Sequence, residues 1–123
     1  MKENIGLKKG EDFGTRILGL YDYLKERKAP YPIIEQITKS GTSIGANLYE
    51  ADCAISDKDF LAKAYISLKE SNETKYWLRL LHRTHYIETP LFESLYNDVE
   101  ELYKILSATT KTVRKRIENK PSA

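Results

Sequence analysis

The chain has 123 residues, 41% of them hydrophobic and 31% charged, a balance that fits one soluble globular domain long enough to bury a core. No apolar run nears the ~20 residues of a membrane span; the start Met1-Lys2-Glu3-Asn4-Ile5 lacks the apolar segment of a secretory signal, and the single Cys53 cannot close an intrachain disulfide, so a cytoplasmic setting without membrane contact is expected. The net charge of +2 is unevenly spread: residues 111–123 carry +4 and residues 1–10 carry +2, which leaves −4 on residues 11–110. Basic ends on a mildly acidic body suit either a polyanion or plain solvation.

Strand signals are absent: no period-two run is bounded by turn residues, and no Asn-Gly or Asp-Gly hairpin pair occurs. The spacing predicts four helices. The first runs from about Glu11 to Arg27 on the stripe Phe13, Ile17, Leu20, Leu24. Gly14 and Gly19 weaken it by roughly 1 kcal/mol each relative to Ala, which close packing against a neighbour would explain. Ala29-Pro30-Tyr31-Pro32 breaks the pattern, and Pro32 is placed to open the next helix.

The second helix, about Pro32 to Ala54, carries two seams. Ile37, Gly41, Ile44, Leu48, Ala51 and Ile55 form a core-facing stripe. Ser40, Ser43, Asn47, Glu50 and Ala54 form a second that is small and polar, and polar groups there need partners if buried. Gly41 and Gly45 suggest that another backbone comes near. The third helix opens at the cap Ser56-x-x-Asp59. Its stripe is Phe60, Ala64, Ser67, Ser71, Thr74, Leu78, Leu81, His85, so it extends over residues 57–86. Thr89-Pro90 caps and opens the fourth, residues 90–118, on Phe92, Leu95, Val99, Leu102, Leu106, Thr109 and Val113. Residues 1–10 and 119–123 are read as flexible. Short connections between long helices define an all-α, antiparallel up-down-up-down four-helix bundle of one domain.

The chemistry a bundle can host is not signalled. A di-metal carboxylate site needs Glu-x-x-His on two helices, and no Glu precedes a His by three residues. Glu70-x-x-Glu73 and His82-x-x-His85 lie on the same helix, separated by roughly a dozen ångströms of rise at ~1.5 Å per residue. Cys53 has no nucleophile signature and reads as a packing residue. Gly41-Thr42-Ser43-Ile44-Gly45 lacks the Lys-Ser/Thr and the preceding strand of a phosphate loop. No cofactor, metal or catalytic residue is therefore assigned, and no enzyme activity is expected. Ser40, Ser43, Asn47, Glu50, Glu70 and Glu73 read instead as a structural polar network joining the second and third helices, against Ser67, Ser71 and Thr74. Nine Tyr, one Trp and three Phe exceed what one narrow bundle hides, which points to oligomerisation or to half-exposed tyrosines.

The same residues carry a family likeness. Thr42-Ser43-Ile44-x-Ala46-Asn47-x-x-Glu50-Ala51, Ser56-x-x-Asp59-Phe60-x-x-Lys63 and Ser67-x-x-Glu70-x-x-Glu73-Thr74-x-Tyr76-Trp77-Leu78-x-Leu80-Leu81 resemble the 23S rRNA intervening-sequence proteins over about residues 37–87. The resemblance implies a bacterial four-helix bundle, often a ring-like homopentamer, without established enzymatic activity. Some relatives are encoded inside large-subunit ribosomal RNA genes. The family is in turn similar to the accessory variability protein of diversity-generating retroelements, a basic pentamer that associates with a reverse transcriptase and nucleic acid; this chain departs from it in its near-neutral charge. The expectation is a non-enzymatic, homo-oligomeric accessory factor that contacts RNA or DNA through Lys111, Arg114, Lys115 and Arg116, alongside a nucleic-acid-processing protein. The alternative is a protein-interaction scaffold with no nucleic-acid role, and carboxylate-metal chemistry comes third.

Overall fold

A computed structural model of the chain describes residues 6–120; the remaining parts of the segments read as flexible, 1–5 and 121–123, lie outside the described residues. Four helices follow one another: α1 (Leu7–Glu26), α2 (Tyr31–Asp52), α3 (Asp57–Arg83) and α4 (Thr89–Glu118). No strand occurs among the described residues. Each helix packs on its neighbours in sequence, and α1 closes the bundle loosely against α4, as an up-down-up-down arrangement requires.

The core is the expected set of stripes. Phe13, Ile17, Leu20 and Leu24 meet Ile34, Ile37, Ile44 and Leu48, with Phe60, Ala64, Leu78 and Leu81 from α3 and Leu95, Val99, Leu102, Leu106 and Val113 from α4. Two stripe positions are corrected. Ile55 is 94% exposed, because α2 ends at Asp52 and the chain has turned away by then. In α4 it is Thr110 that is buried, not Thr109. Its hydroxyl donates to the Leu106 carbonyl oxygen at 2.8 Å, which lets a polar side chain sit in the core. Cys53 is exposed at the end of α2 rather than packed.

The helix ends explain the shifted boundaries. α1 starts at Leu7 instead of Glu11, entered through Gly6 at φ 73°; Gly10 then lies buried against Gly45, so this turn is part of the packed helix. α1 and α3 both end in left-handed residues that are not glycine, Lys28 (φ 60°) and His85 (φ 68°). The next amide in each donates five residues back, Ala29 N–H to Leu24 O at 3.0 Å and Tyr86 N–H to Leu81 O at 2.9 Å. α3 therefore stops at Arg83, short of Tyr86, and His85 leaves the core stripe. The cap at the start of α3 forms as expected, with Asp59 N–H donating to Ser56 Oγ at 3.0 Å. At α4 the cap position is Glu88, and Thr89 Oγ1 instead pairs with His82 Nε2 at 2.9 Å.

The glycines fall into two groups. A Cβ on Gly45 would stand 3.0 Å from the Gly10 carbonyl oxygen, and one on Gly10 would stand 3.2 Å from Gly45 Cα, so the α1 and α2 backbones touch there. Gly41 faces Ile17, whose Cγ1 would lie 2.7 Å from an added Cβ. At Gly14 and Gly19 nothing lies within 4 Å, so packing inside the bundle does not account for them. The opposite seam, α1–α4, is bridged by long side chains: Lys9–Glu101 at 2.9 Å and Arg16–Asp98 at 2.7 Å.

Candidate nucleic-acid interface

The basic end of α4 is partly tied down. Arg116 bonds Asp57 through both arms, Nε to Oδ2 at 3.1 Å and Nη2 to Oδ1 at 3.3 Å. Lys120 reaches the same carboxylate at 3.5 Å. The Arg116 hydrogen bonds hold the Asp57 carboxyl below its ordinary value, against a smaller upward push from burial. Arg114 donates to Tyr65 Oη at 3.0 Å and lies 4.0 Å from Glu118. Lys111 and Lys115, one turn apart, are exposed and form no ion pair among the described residues. Lys104 continues their row two turns earlier, also exposed and unengaged. The four residues expected to contact phosphate thus separate into two that pin α4 to α3 and two that stand free. At the N-terminal end, Lys8 pairs with Asp12 at 3.2 Å and Lys9 with Glu101, so neither cation is unengaged.

The polar seam joins α2 to α3 at two points. Thr74 Oγ1 lies 2.9 Å from Ser40 Oγ, and Ser67 donates to the Ile44 carbonyl oxygen at 2.9 Å. All three side chains are fully buried, and each hydroxyl is satisfied. The remaining expected members stay local or on the surface. Ser43 donates to Lys39 O at 2.6 Å and Asn47 to Ser43 O at 2.9 Å, both within α2. Glu50 pairs with Lys63 at 2.9 Å on the outside of the α2–α3 seam. Glu73 accepts from Trp77 Nε1 at 3.0 Å. Glu70 has its carboxyl pushed up, first by partial burial and then by Glu73. The six residues therefore do not converge on one point, and no group of three or more His, Cys, Asp or Glu placed to hold a metal ion occurs among the described residues.

A second basic surface, on α3 and α4, was not singled out by sequence spacing. Lys75, Arg79 and Arg83 step by four along α3 and line a groove of about 390 Å³ with Asn72, Tyr76 and Tyr96. That four-residue step, with Tyr76 beside it, is the signal the sequence offers; the summed charge of the chain ends outweighs it. Lys75 is fixed in place: Nζ bonds Glu100 at 2.9 Å and stands 4.3 Å above the Tyr103 ring and 5.9 Å from Tyr96. Phe92 continues the aromatic row, 5.3 Å from Tyr96 on one side and stacked on His82 at 4.2 Å on the other.

These features define the class: an all-α four-helix bundle whose buried polar groups pack α2 on α3 and which carries exposed cations without ion pairs on α3 and α4 among the described residues. The chain belongs to the 23S rRNA-intervening sequence protein family, whose model matches residues 2–108. It is similar to a solved structure described as a protein with unknown function from the S23 ribosomal protein family of Bacteroides thetaiotaomicron VPI-5482. The two share 46% sequence identity and a TM-score of 0.83, over 85% of this chain and 97% of that one. No curated protein matches the chain. The family match stops at residue 108, before Lys111, so the basic end of α4 is a feature of this chain that the match does not describe.

Proposed function

We propose that this protein is a non-enzymatic, cytoplasmic accessory factor that assembles as a homo-oligomer, a pentamer in the simplest case, and associates with RNA or DNA. The observation that carries the reading is the row Lys104, Lys111, Lys115 on α4, exposed and without acidic partners among the described residues. Cations so placed give affinity for phosphate without sequence readout. Repeated around an oligomer, the row multiplies the local field, so a chain of net charge +2 still presents a strongly basic surface. Membership in the 23S rRNA-intervening sequence protein family supports the same reading. The exposed Leu18, Tyr31 and Tyr49 supply apolar surface for contacts between copies.

The test is binding of structured RNA across a salt series, with the mass of the free protein measured by light scattering. Wild type binds at low salt and weakens as salt rises. Lys111→Gln with Lys115→Gln lowers the log–log salt slope by about 1.8 on duplex RNA, taking ~0.9 per lost phosphate contact. Absence of binding at low salt, or binding indifferent to salt, overturns the reading. The same exposed aromatic surface favours a second reading, a scaffold that docks a partner protein, with any nucleic-acid-processing protein among the candidates. A host pull-down that keeps a protein partner after nuclease treatment and carries no nucleic acid decides for the scaffold.

A further inference from the structure

We propose that the groove between α3 and α4 binds single-stranded nucleic acid, with phosphate held by Arg79 and Arg83 and a base stacked on Tyr76. This deepens the nucleic-acid reading above and rests on it, but uses residues on a different surface from Lys111 and Lys115.

Three observations carry the inference. The groove, about 390 Å³, falls within the roughly 300–1,000 Å³ of sites that receive small groups. Its cations are unequal. Lys75 is neutralised by Glu100 and braced over Tyr103, so it builds the floor rather than offering a charge. Arg79 and Arg83 are exposed and form no ion pair or hydrogen bond among the described residues. They stand one turn apart, their Cβ atoms about 5–6 Å from each other, where like charges repel. Arg83 lies in the last turn of α3, where the helix dipole favours a cation. Arg79 is a turn earlier and gains little from it, and no acid on the groove answers either charge. An anion between the two guanidinium groups would relieve that repulsion and find planar, forked donors suited to phosphate.

The third observation is aromatic. Tyr76 lines the groove with 56% of its surface exposed, held by an edge contact to Trp77 at 4.9 Å between centroids. Tyr96 lines the other side. A basic groove with an exposed aromatic platform is the arrangement that receives single strands, because stacking needs a base face that a duplex keeps covered. An acidic peptide would use the arginines and leave the tyrosine idle, so the tyrosine separates the two ligand classes.

The experiment is fluorescence anisotropy with a short labelled single-stranded RNA, the same strand annealed to its complement, and unlabelled polyglutamate as competitor. Arg79→Gln with Arg83→Gln is expected to weaken single-strand binding about tenfold and to lower the salt slope by about 1.4, at ~0.7 per contact on a single strand. Tyr76→Ala is expected to weaken it at least about fivefold, Tyr76→Phe to bind as wild type does, and duplex binding to be unchanged by either tyrosine substitution. All these positions are exposed, and an unchanged thermal melt shows that the variants fold. The proposal is overturned if wild type binds the strand while the arginine pair and Tyr76→Ala leave affinity unaltered, or if Tyr76→Ala weakens strand and duplex alike. Displacement of the strand by polyglutamate, equally from wild type and Tyr76→Ala, also overturns it and assigns the groove to acidic chains. The nucleic-acid reading survives all three results where Lys111→Gln with Lys115→Gln still weakens binding. If wild type binds no nucleic acid at low salt, that broader reading fails and takes the groove with it.

Discussion

Replacing Gly45 by alanine tests the packing of α1 on α2. Elsewhere in a helix the change is favourable, by about 1 kcal/mol from propensity. Here the added Cβ would stand 3.0 Å from the Gly10 carbonyl oxygen and 3.1 Å from its carbon, both backbone atoms. No rotamer change can relieve the contact, so α1 must move off α2 by a few tenths of an ångström over a whole turn. The pairs that suffer are already close, since Leu48 Cδ1 would sit 3.0 Å from a Cβ on Gly10. Overpacking of this kind costs typically ~1–3 kcal/mol, and separating packed surfaces by half an ångström forfeits about a quarter of each dispersion well. Net of propensity, Gly45→Ala should destabilise the fold by about 1 kcal/mol. Gly19→Ala is the matched control, because nothing lies within 4 Å of its added Cβ; it should stabilise by about 0.5–1 kcal/mol. Urea unfolding of both variants at one protein concentration reads the difference, expected at roughly 1.5–2 kcal/mol. Equal stabilisation by the two substitutions would refute a backbone contact at Gly45.

Gly41→Ala should cost stability for a related reason, since its Cβ would meet Ile17 at 2.7 Å; combined with Ile17→Ala the two changes should cost less than their sum, as a double-mutant cycle of unfolding free energies would show. Thr74→Val removes the cross-seam donor to buried Ser40, which keeps its own longer bond to Ile37 O at 3.4 Å, and should cost about 0.5–1.5 kcal/mol, with much of the loss absent when Ser40 is already alanine. Asp57 carries its pH dependence in a definite direction: its folded carboxyl lies below the ordinary value of 3.8 because of Arg116, so its contribution is full above 3.8 and is lost as pH falls through the depressed folded value. Acid unfolding of Asp57→Asn should lack that part of the decline. Glu70 runs the other way, its carboxyl raised from 4.5 by burial and Glu73, so its contribution is present below 4.5 and lost as pH rises through the folded value. Glu70→Gln should therefore gain stability relative to wild type on going from pH 4 to neutral, and an unchanged difference between the two would count against a desolvated carboxyl.

The helix interiors were legible because periodicity reports which face is buried, and a face must be apolar over several turns to be buried at all. Phe13 to Leu24 and Phe60 to Leu81 are of this kind. The helix ends were not, because the left-handed terminators are Lys28 and His85, residues that carry no terminator signal where glycine would have. Pro30 and Pro32 mark the first boundary; no such residue marks the second, and the spacing alone carries α3 on to Tyr86. Glycine was legible in kind but not in location. The four glycines that the spacing places inside helices invite the same inference of close approach, yet of these only Gly41 and Gly45 meet a neighbour, and Gly14 and Gly19 do not. Which of them touches another element depends on the rotation of α1 about its own axis, and that is set by packing across three helices. In the polar seam, sequence spacing placed Ser40 correctly against Thr74. It could not show that Ser43 and Asn47 bond back along α2, because short polar side chains have a partner one turn away as well as across the seam.

Charge follows the same distinction between composition and partnership. Basic residues counted along the chain point to its two ends, but a cation exerts an outward field only where no carboxylate answers it. On α1, Lys8, Lys9 and Arg16 are each paired, and the last two hold the loose α1–α4 seam together. At the end of α4, Arg116 and Lys120 converge on Asp57 and fasten α4 to the start of α3. What remains without an ion pair among the described residues on α3 and α4 includes Arg79, Arg83, Lys104, Lys111 and Lys115. The fold therefore engages Lys9 and Arg16 of α1 in closing the bundle and leaves these five cations of α3 and α4 exposed. Lys111 and Lys115 belong to the basic end of the chain and Arg79, Arg83 and Lys104 lie earlier, so the basic surface runs along α3 and α4 and is not confined to the chain's ends.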